Sequence, residues 1–149
     1  MTRRPQGPVR EGTLGAHRRT IRHATATLAA LTALVYLAIG FGVIEVVDPA
    51  TSQPGELLVF GLVAGGAFAL GAVLLVAGDW RPVWLVGAAF QVFAIVMYVM
   101  VSQERTPPFE VWGVLLRVPQ GLMLAALAYL FVSPPADARV TRGVGGVAP

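Results

Sequence analysis

The order of apolar and polar residues divides the chain into four long hydrophobic blocks, at 24–47, 57–78, 82–102 and 111–132. Each is 21 to 24 residues long, and about 20 residues at 1.5 Å rise cross a hydrocarbon layer of about 30 Å. No amphipathic helix or alternating strand remains to form a soluble shell around them. The connecting segments 48–56, 79–81 and 103–110 are short, so consecutive helices must lie side by side and antiparallel. Within lipid each backbone amide has to find its partner inside its own helix. The pattern predicts an all-α integral membrane protein, a four-helix transmembrane bundle, with polar tails at 1–23 and 133–149.

Local chemistry agrees with these boundaries. Asp48-Pro49 and Pro54-Gly55 punctuate the first long connection, and Pro107-Pro108 stiffens the second. Pro82 suits the first turn of the third helix, where its missing N–H costs nothing. Trp80, Trp84, Trp112, Tyr98 and Tyr129 fall near block ends, as aromatics at a membrane–water interface do.

Composition strengthens the membrane assignment. Hydrophobic residues make up 56% of the 149 and charged residues 13%, about half the charged share of a soluble domain. The eleven basic residues are all arginines and face eight acids. Nine of them, Arg3, Arg4, Arg10, Arg18, Arg19, Arg22, Arg81, Arg139 and Arg142, fall on one side of the predicted bundle. Arg105 alone falls on the other, while Arg117 lies inside the fourth block. By the positive-inside rule this predicts a multi-pass plasma-membrane protein with both termini cytoplasmic. Asp48, Glu56, Glu104 and Glu110, with Glu45 at the end of the first block, make the opposite face acidic.

The segment Arg18-Arg19-Thr20-Ile21-Arg22 resembles a twin-arginine export signal. The apolar stretch behind it is too long for a secretory h-region and leads into three further spans, so no cleavage is expected. Both tails, rich in Gly, Pro and Arg, are expected to be disordered. The basic N-tail should be attracted to anionic lipid headgroups. It lacks the interleaved aromatics of a nucleic-acid reader, so no nucleic-acid partner is expected.

Two groups of residues stand out inside the blocks. Gly61 and Gly65 form a GxxxG in the second block, continued at the same spacing by Ala69. Such a stripe lets another helix backbone approach closely. It serves either a homo-oligomer through span two or packing within the chain. The second group is polar. Gln91 in the third block and Gln120 in the fourth each lie about 13 Å from a block end, near the midplane. Tyr98 shares a face with Gln91, and Glu110, Arg117 and Gln120 share one on the fourth helix. Arg117, about 9 Å deep, requires a partner, and Glu45 and Glu110 are the available carboxylates. Pro119 deprives the Leu115 carbonyl of its usual donor, so a kink is expected there.

Absences bound the chemistry. Zero cysteines exclude disulfides, thiolate catalysis and Cys-ligated metal. No Asp or Glu lies near the midplane of any block, so a proton relay lacks its carrier. His17 and His23 stand in the N-tail and at its junction, too few for a metal site. The three serines neighbour no histidine, and a phosphate loop needs a lysine the chain lacks. No enzyme activity, cofactor or metal is expected.

Tyr36–Gly40 (YLAIG), Gly78-Asp79-Trp80-Arg81, Leu85-Val86-Gly87, Gln91, Tyr98, Pro107–Glu110 and Gln120 together give a pattern over about 100 residues. It resembles small four-span membrane proteins of haloarchaea and actinobacteria, a group without an assigned activity. The resemblance implies a four-span bundle and a basic residue shortly before the last Gln, the place of Arg117. Two functions remain open from the sequence. One is a non-enzymatic accessory or scaffold protein acting through helix–helix association, its polar cluster a dry seam of Arg–Glu and Gln–Gln pairs. The other is a small transporter or channel-like carrier using Gln91, Tyr98, Arg117 and Gln120, with Glu45 or Glu110 as counter-ion. A lipid- or quinone-handling subunit of a larger complex is a third possibility.

Overall fold

A computed structural model describes residues 11–45, 54–103 and 111–133. They form four helices, α1 (Glu11–Gly40), α2 (Pro54–Ala77), α3 (Arg81–Ser102) and α4 (Val111–Val132). All four are long and apolar enough to cross a membrane, and much of their large apolar surface faces outward. In lipid that exposure carries no penalty, because lipid tails are as apolar as the side chains. The chain is a multi-pass membrane protein of the all-α class.

The last three helices match the hydropathy blocks within three residues at every boundary. The first does not. Helix α1 starts at Glu11, within the segment expected to be a disordered tail, and stops at Gly40 rather than 47. Arginine and alanine are strong helix formers although arginine is far from apolar, so hydropathy placed the start too late. The early part of α1 is also held by the bundle: Ile21 packs into the core around Trp84, Leu127 and Leu130. Its end is set by Gly42, whose φ of 70° is a left-handed conformation that glycine adopts without strain. Gly42 N–H donates to the Ile39 carbonyl at 3.0 Å and Val43 N–H to Ala38 at 2.8 Å, the pair of bonds of a Schellman motif. Phe41 and Val43, apolar and exposed, therefore extend the hydrophobic block without extending the helix.

Helices α1 and α2 pack most closely. A Cβ added to Gly61 would lie 2.7 Å from the Tyr36 carbonyl oxygen, and one added to Gly40 would lie 2.9 Å from the Gly61 Cα. One turn on, Gly65 admits the Leu37 side chain and the Ala33 carbonyl. The small-residue stripe thus serves contact within the chain. Ala69, expected to continue it, is exposed; the buried row runs Gly61, Gly65, Phe68, Ala72, because a helix face turns with a mixture of three- and four-residue steps.

Helix α3 packs on α4, and α4 on α1, whereas α2 and α3 scarcely touch despite the three-residue turn joining them. The bundle is therefore a ring, α2–α1–α4–α3, open between its two ends. The termini of α1 and α4 meet the α2–α3 turn at one end, where Arg18 bonds both Asp79 and the Ser133 carbonyl. The Gly40–Gly61 contact and the Tyr98–Gly113 contact mark the opposite end.

Candidate functional site

The cleft between α2 and α3 holds two adjoining cavities. The one toward the Gly42 end measures about 340 Å³ and the one toward the Asp79 end about 360 Å³, both within the range of small-molecule sites. Ala67, Phe68 and Phe90 line both. The Phe68 and Phe90 rings meet edge to face at 5.5 Å, forming a partial partition. Residues of α1 and α4 form the floor: Tyr36 and Arg117 under the first cavity, Thr25, Ala29, Met123 and Leu127 under the second.

Among the described residues Arg117 is the only charged one lining either cavity. Its guanidinium carbon stands 4.2 Å from the centre of the Tyr98 ring, so the negative face of the ring stabilises the cation. Nη1 donates to the Ala94 carbonyl at 3.2 Å and to Gln120 Oε1, and Nη2 lies 3.5 Å from the Tyr36 hydroxyl. Gln120, fully buried, also donates through Nε2 to the Tyr36 hydroxyl at 3.1 Å. Helices α1, α3 and α4 thus converge on one cation through neutral groups. Arginine has five N–H donors; Arg117 Nε, though buried, has no partner.

One of the two expected counter-ions, Glu45, is not there. Glu45 lies beyond the end of α1 and is exposed, because the Schellman turn ends the helix before reaching it. Glu110 lies outside the described residues. Among the described residues the one ion pair is Arg18–Asp79, and Glu45 makes no ion pair with Arg117. Nor does Gln91 bond Gln120. Gln91 Nε2 donates weakly to Met123 Sδ at 3.7 Å, and its Oε1 has no partner although the residue is 4% exposed. A buried acceptor left unpaired costs about 1–3 kcal/mol. Helix α4 runs unbroken through Pro119.

Of the four residues grouped from the sequence, Tyr98, Arg117 and Gln120 are in contact and Gln91 stands apart against Met123, while Tyr36 was missed. It is the sole Tyr of α1, and that was its available signal. Its ring stacks on Phe68 at 5.5 Å and meets Phe60 edge to face at 5.6 Å, which holds the hydroxyl toward Gln120. Arg18 and Asp79 were also missed as partners. Arg18 donates from Nε and Nη2 to the two Asp79 oxygens at 2.9 and 2.8 Å. Trp84 Nε1 adds a bond to the same carboxylate at 3.2 Å. Trp84, expected at the interface, is instead fully buried. Asp79 is the acid of the short turn at an arginine-rich end, which was its signal.

The chain matches no family model, no curated protein and no solved structure.

Proposed function

We propose that this is a ligand-binding protein of the plasma membrane, of the carrier type, with both termini cytoplasmic. In this reading an oxygen-bearing ligand binds at Arg117 in the α2–α3 cleft. The observation that carries it is a cation lining a 340 Å³ cavity, with no carboxylate partner among the described residues and one N–H unpartnered. A charge near the helix centre costs about 2.5–3.5 kcal/mol to insert, and such residues mark ligand or ion sites by default. The arginine distribution supports the orientation. Arg19 and Arg22, at the same end as Asp79, would favour anionic lipids of the cytoplasmic leaflet.

A second reading, an accessory or scaffold protein, has its own observation. An open cleft along the bundle is also a seat for a helix of another chain, whether a homo-oligomer partner or a different subunit. Gly61 and Gly65 do not supply that contact, since α1 of the same chain covers them.

Cysteine labelling of this naturally cysteine-free chain tests the proposal. Single substitutions Ala64→Cys and Ala94→Cys fall in the cavity lining, and Ala33→Cys in the α1–α2 contact serves as the buried control. Reaction of both cavity cysteines with a membrane-impermeant thiol reagent would indicate an aqueous route. Reaction only with a lipid-soluble reagent would indicate a route through the cleft. Either outcome supports ligand access, whereas protection equal to Ala33→Cys from both reagents would overturn it and favour a partner-filled seam.

A further inference from the structure

The two cavities differ in chemistry in a way that defines a ligand class. Tyr36, Phe60, Phe68, Phe90, Phe93 and Tyr98 line the first, six of the ten Phe and Tyr residues in the chain. Rings attract rings in offset-stacked and edge-to-face arrangements, beyond what simple burial contributes. The second cavity is lined by aliphatic side chains and glycines, apart from Phe68, Phe90, Thr25, Gln91 and Met123. It extends along α3 from Gln91 to Pro82, about 13 Å at 1.5 Å per residue. An aromatic compartment with one strong donor therefore adjoins an aliphatic one of tail length, and both open on the cleft that α2 and α3 leave between them.

Resting on the ligand-binding reading above, we propose that the ligand is a ring amphiphile. A planar ring bearing an oxygen acceptor occupies the aromatic cavity and accepts from Arg117, while its aliphatic tail lies in the second cavity. Membrane-resident quinones and prenylated ring acids share this chemistry, one through a ring carbonyl and the other through a carboxylate. Arg117 lines the aromatic cavity and Gln91 the adjoining one, so the ring acceptor meets Arg117 and the start of the tail passes Gln91. Access is lateral, from lipid, because the gap between α2 and α3 is the open side of the ring of helices.

Gly71 provides the means to separate tail from ring. It lines the second cavity, and an added Cβ there meets nothing within 4 Å, so Gly71→Phe fills tail space without colliding with the backbone. Binding to the purified full chain in nanodiscs is measured with four probes: a decyl-tailed benzoquinone, a decyl-tailed hydroxybenzoate, tailless benzoquinone and decanoic acid. Tails concentrate any probe in the bilayer, so the comparison that counts is between protein variants. We expect the tailed ring probes to bind about tenfold tighter than decanoic acid. Gly71→Phe should abolish the advantage of the tail and leave the tailless ring unaffected. Arg117→Met should weaken both ring probes about tenfold or more, and Arg117→Lys should recover only part of it, since lysine lacks the planar fork.

Preference for the quinone or for the ring acid identifies which acceptor Arg117 takes. Equal affinity for decanoic acid and the ring probes, or an unchanged tail preference in Gly71→Phe, would overturn the proposal. If no probe binds while Ala64→Cys and Ala94→Cys label freely, the ring amphiphile falls and the ligand-binding reading stands. If those cysteines are also protected, both fall.

Discussion

At the residue scale, the feature that sets this bundle apart is a cation held by dipoles, with no carboxylate partner among the described residues. The Ala94 carbonyl, Gln120 amide, Tyr36 hydroxyl and Tyr98 ring surround Arg117, and each is weaker than an ion pair. Such a site keeps its charge available to an incoming oxygen, since no carboxylate among the described residues must first be displaced. Tyr98 occupies its place because Gly113 on α4 leaves room: a Cβ there would lie 2.7 Å from the ring carbon bearing the hydroxyl. Gly113→Ala should push the ring off Arg117 and destabilise the protein by about 1–3 kcal/mol. Tyr98→Leu removes the same ring and about 0.5–2 kcal/mol of cation–π attraction. If both act through one contact, thermal unfolding in micelles will show that the double variant loses clearly less than the sum of the two.

At the scale of elements, the spacing of small residues on α2 decides which pair of helices closes and which stays open. Gly61 against Gly40 draws α2 onto α1, and nothing comparable joins α2 to α3. Within the helices, Thr25 and Thr32 are buried yet satisfied, each hydroxyl donating to the carbonyl four residues back at 2.8 Å, so polar residues enter the contact face without orphaned groups. Gly61→Val should drive α1 from α2 and lower stability by about 1–3 kcal/mol, the cost of overpacking against a rigid backbone. Ala69→Leu, on the exposed face of the same helix, should stay within about 0.5 kcal/mol of wild type. A loss of similar size from both substitutions, measured by unfolding in micelles, would mean that α2 uses its outer face for a contact as well.

At the scale of the whole molecule, Arg18 closes one end of the bundle by linking the start of α1, the α2–α3 turn and the end of α4. The Arg18 hydrogen bond holds the Asp79 carboxyl below its ordinary 3.8; desolvation opposes this, and the Arg18 charge, the Trp84 bond and the Arg22 charge add to it. A carboxylate whose value is depressed on folding contributes stability that is complete above its unfolded value and is lost as pH falls through its folded value. The stability difference between wild type and Asp79→Asn should therefore be constant from about pH 5 to pH 8 and shrink below 3.8. On the plateau it should amount to about 1–3 kcal/mol, because Arg18, 8% exposed, would be left with donors unpaired. A difference that vanishes at pH 7 would show that the Ser133 carbonyl alone holds Arg18.

The sequence by itself determined the fold class, the number of helices and the ends of α2, α3 and α4, because length and hydropathy are set residue by residue along the chain. It also placed Gln91, Tyr98, Arg117 and Gln120 on meeting faces, since helical periodicity is a local property. Only the tertiary structure decided what those residues do. Tyr36 joins them from a helix about 80 residues earlier, and Asp79 finds Arg18 across 61 residues, contacts that no local pattern encodes. Glu45 illustrates the converse: its place at the end of an apolar block made it a candidate partner for Arg117, but one left-handed glycine, Gly42, ended the helix first. The open cleft, the aromatic cavity and the unpaired cation all follow from which helices pack together, and that depends on the sum of contacts between them.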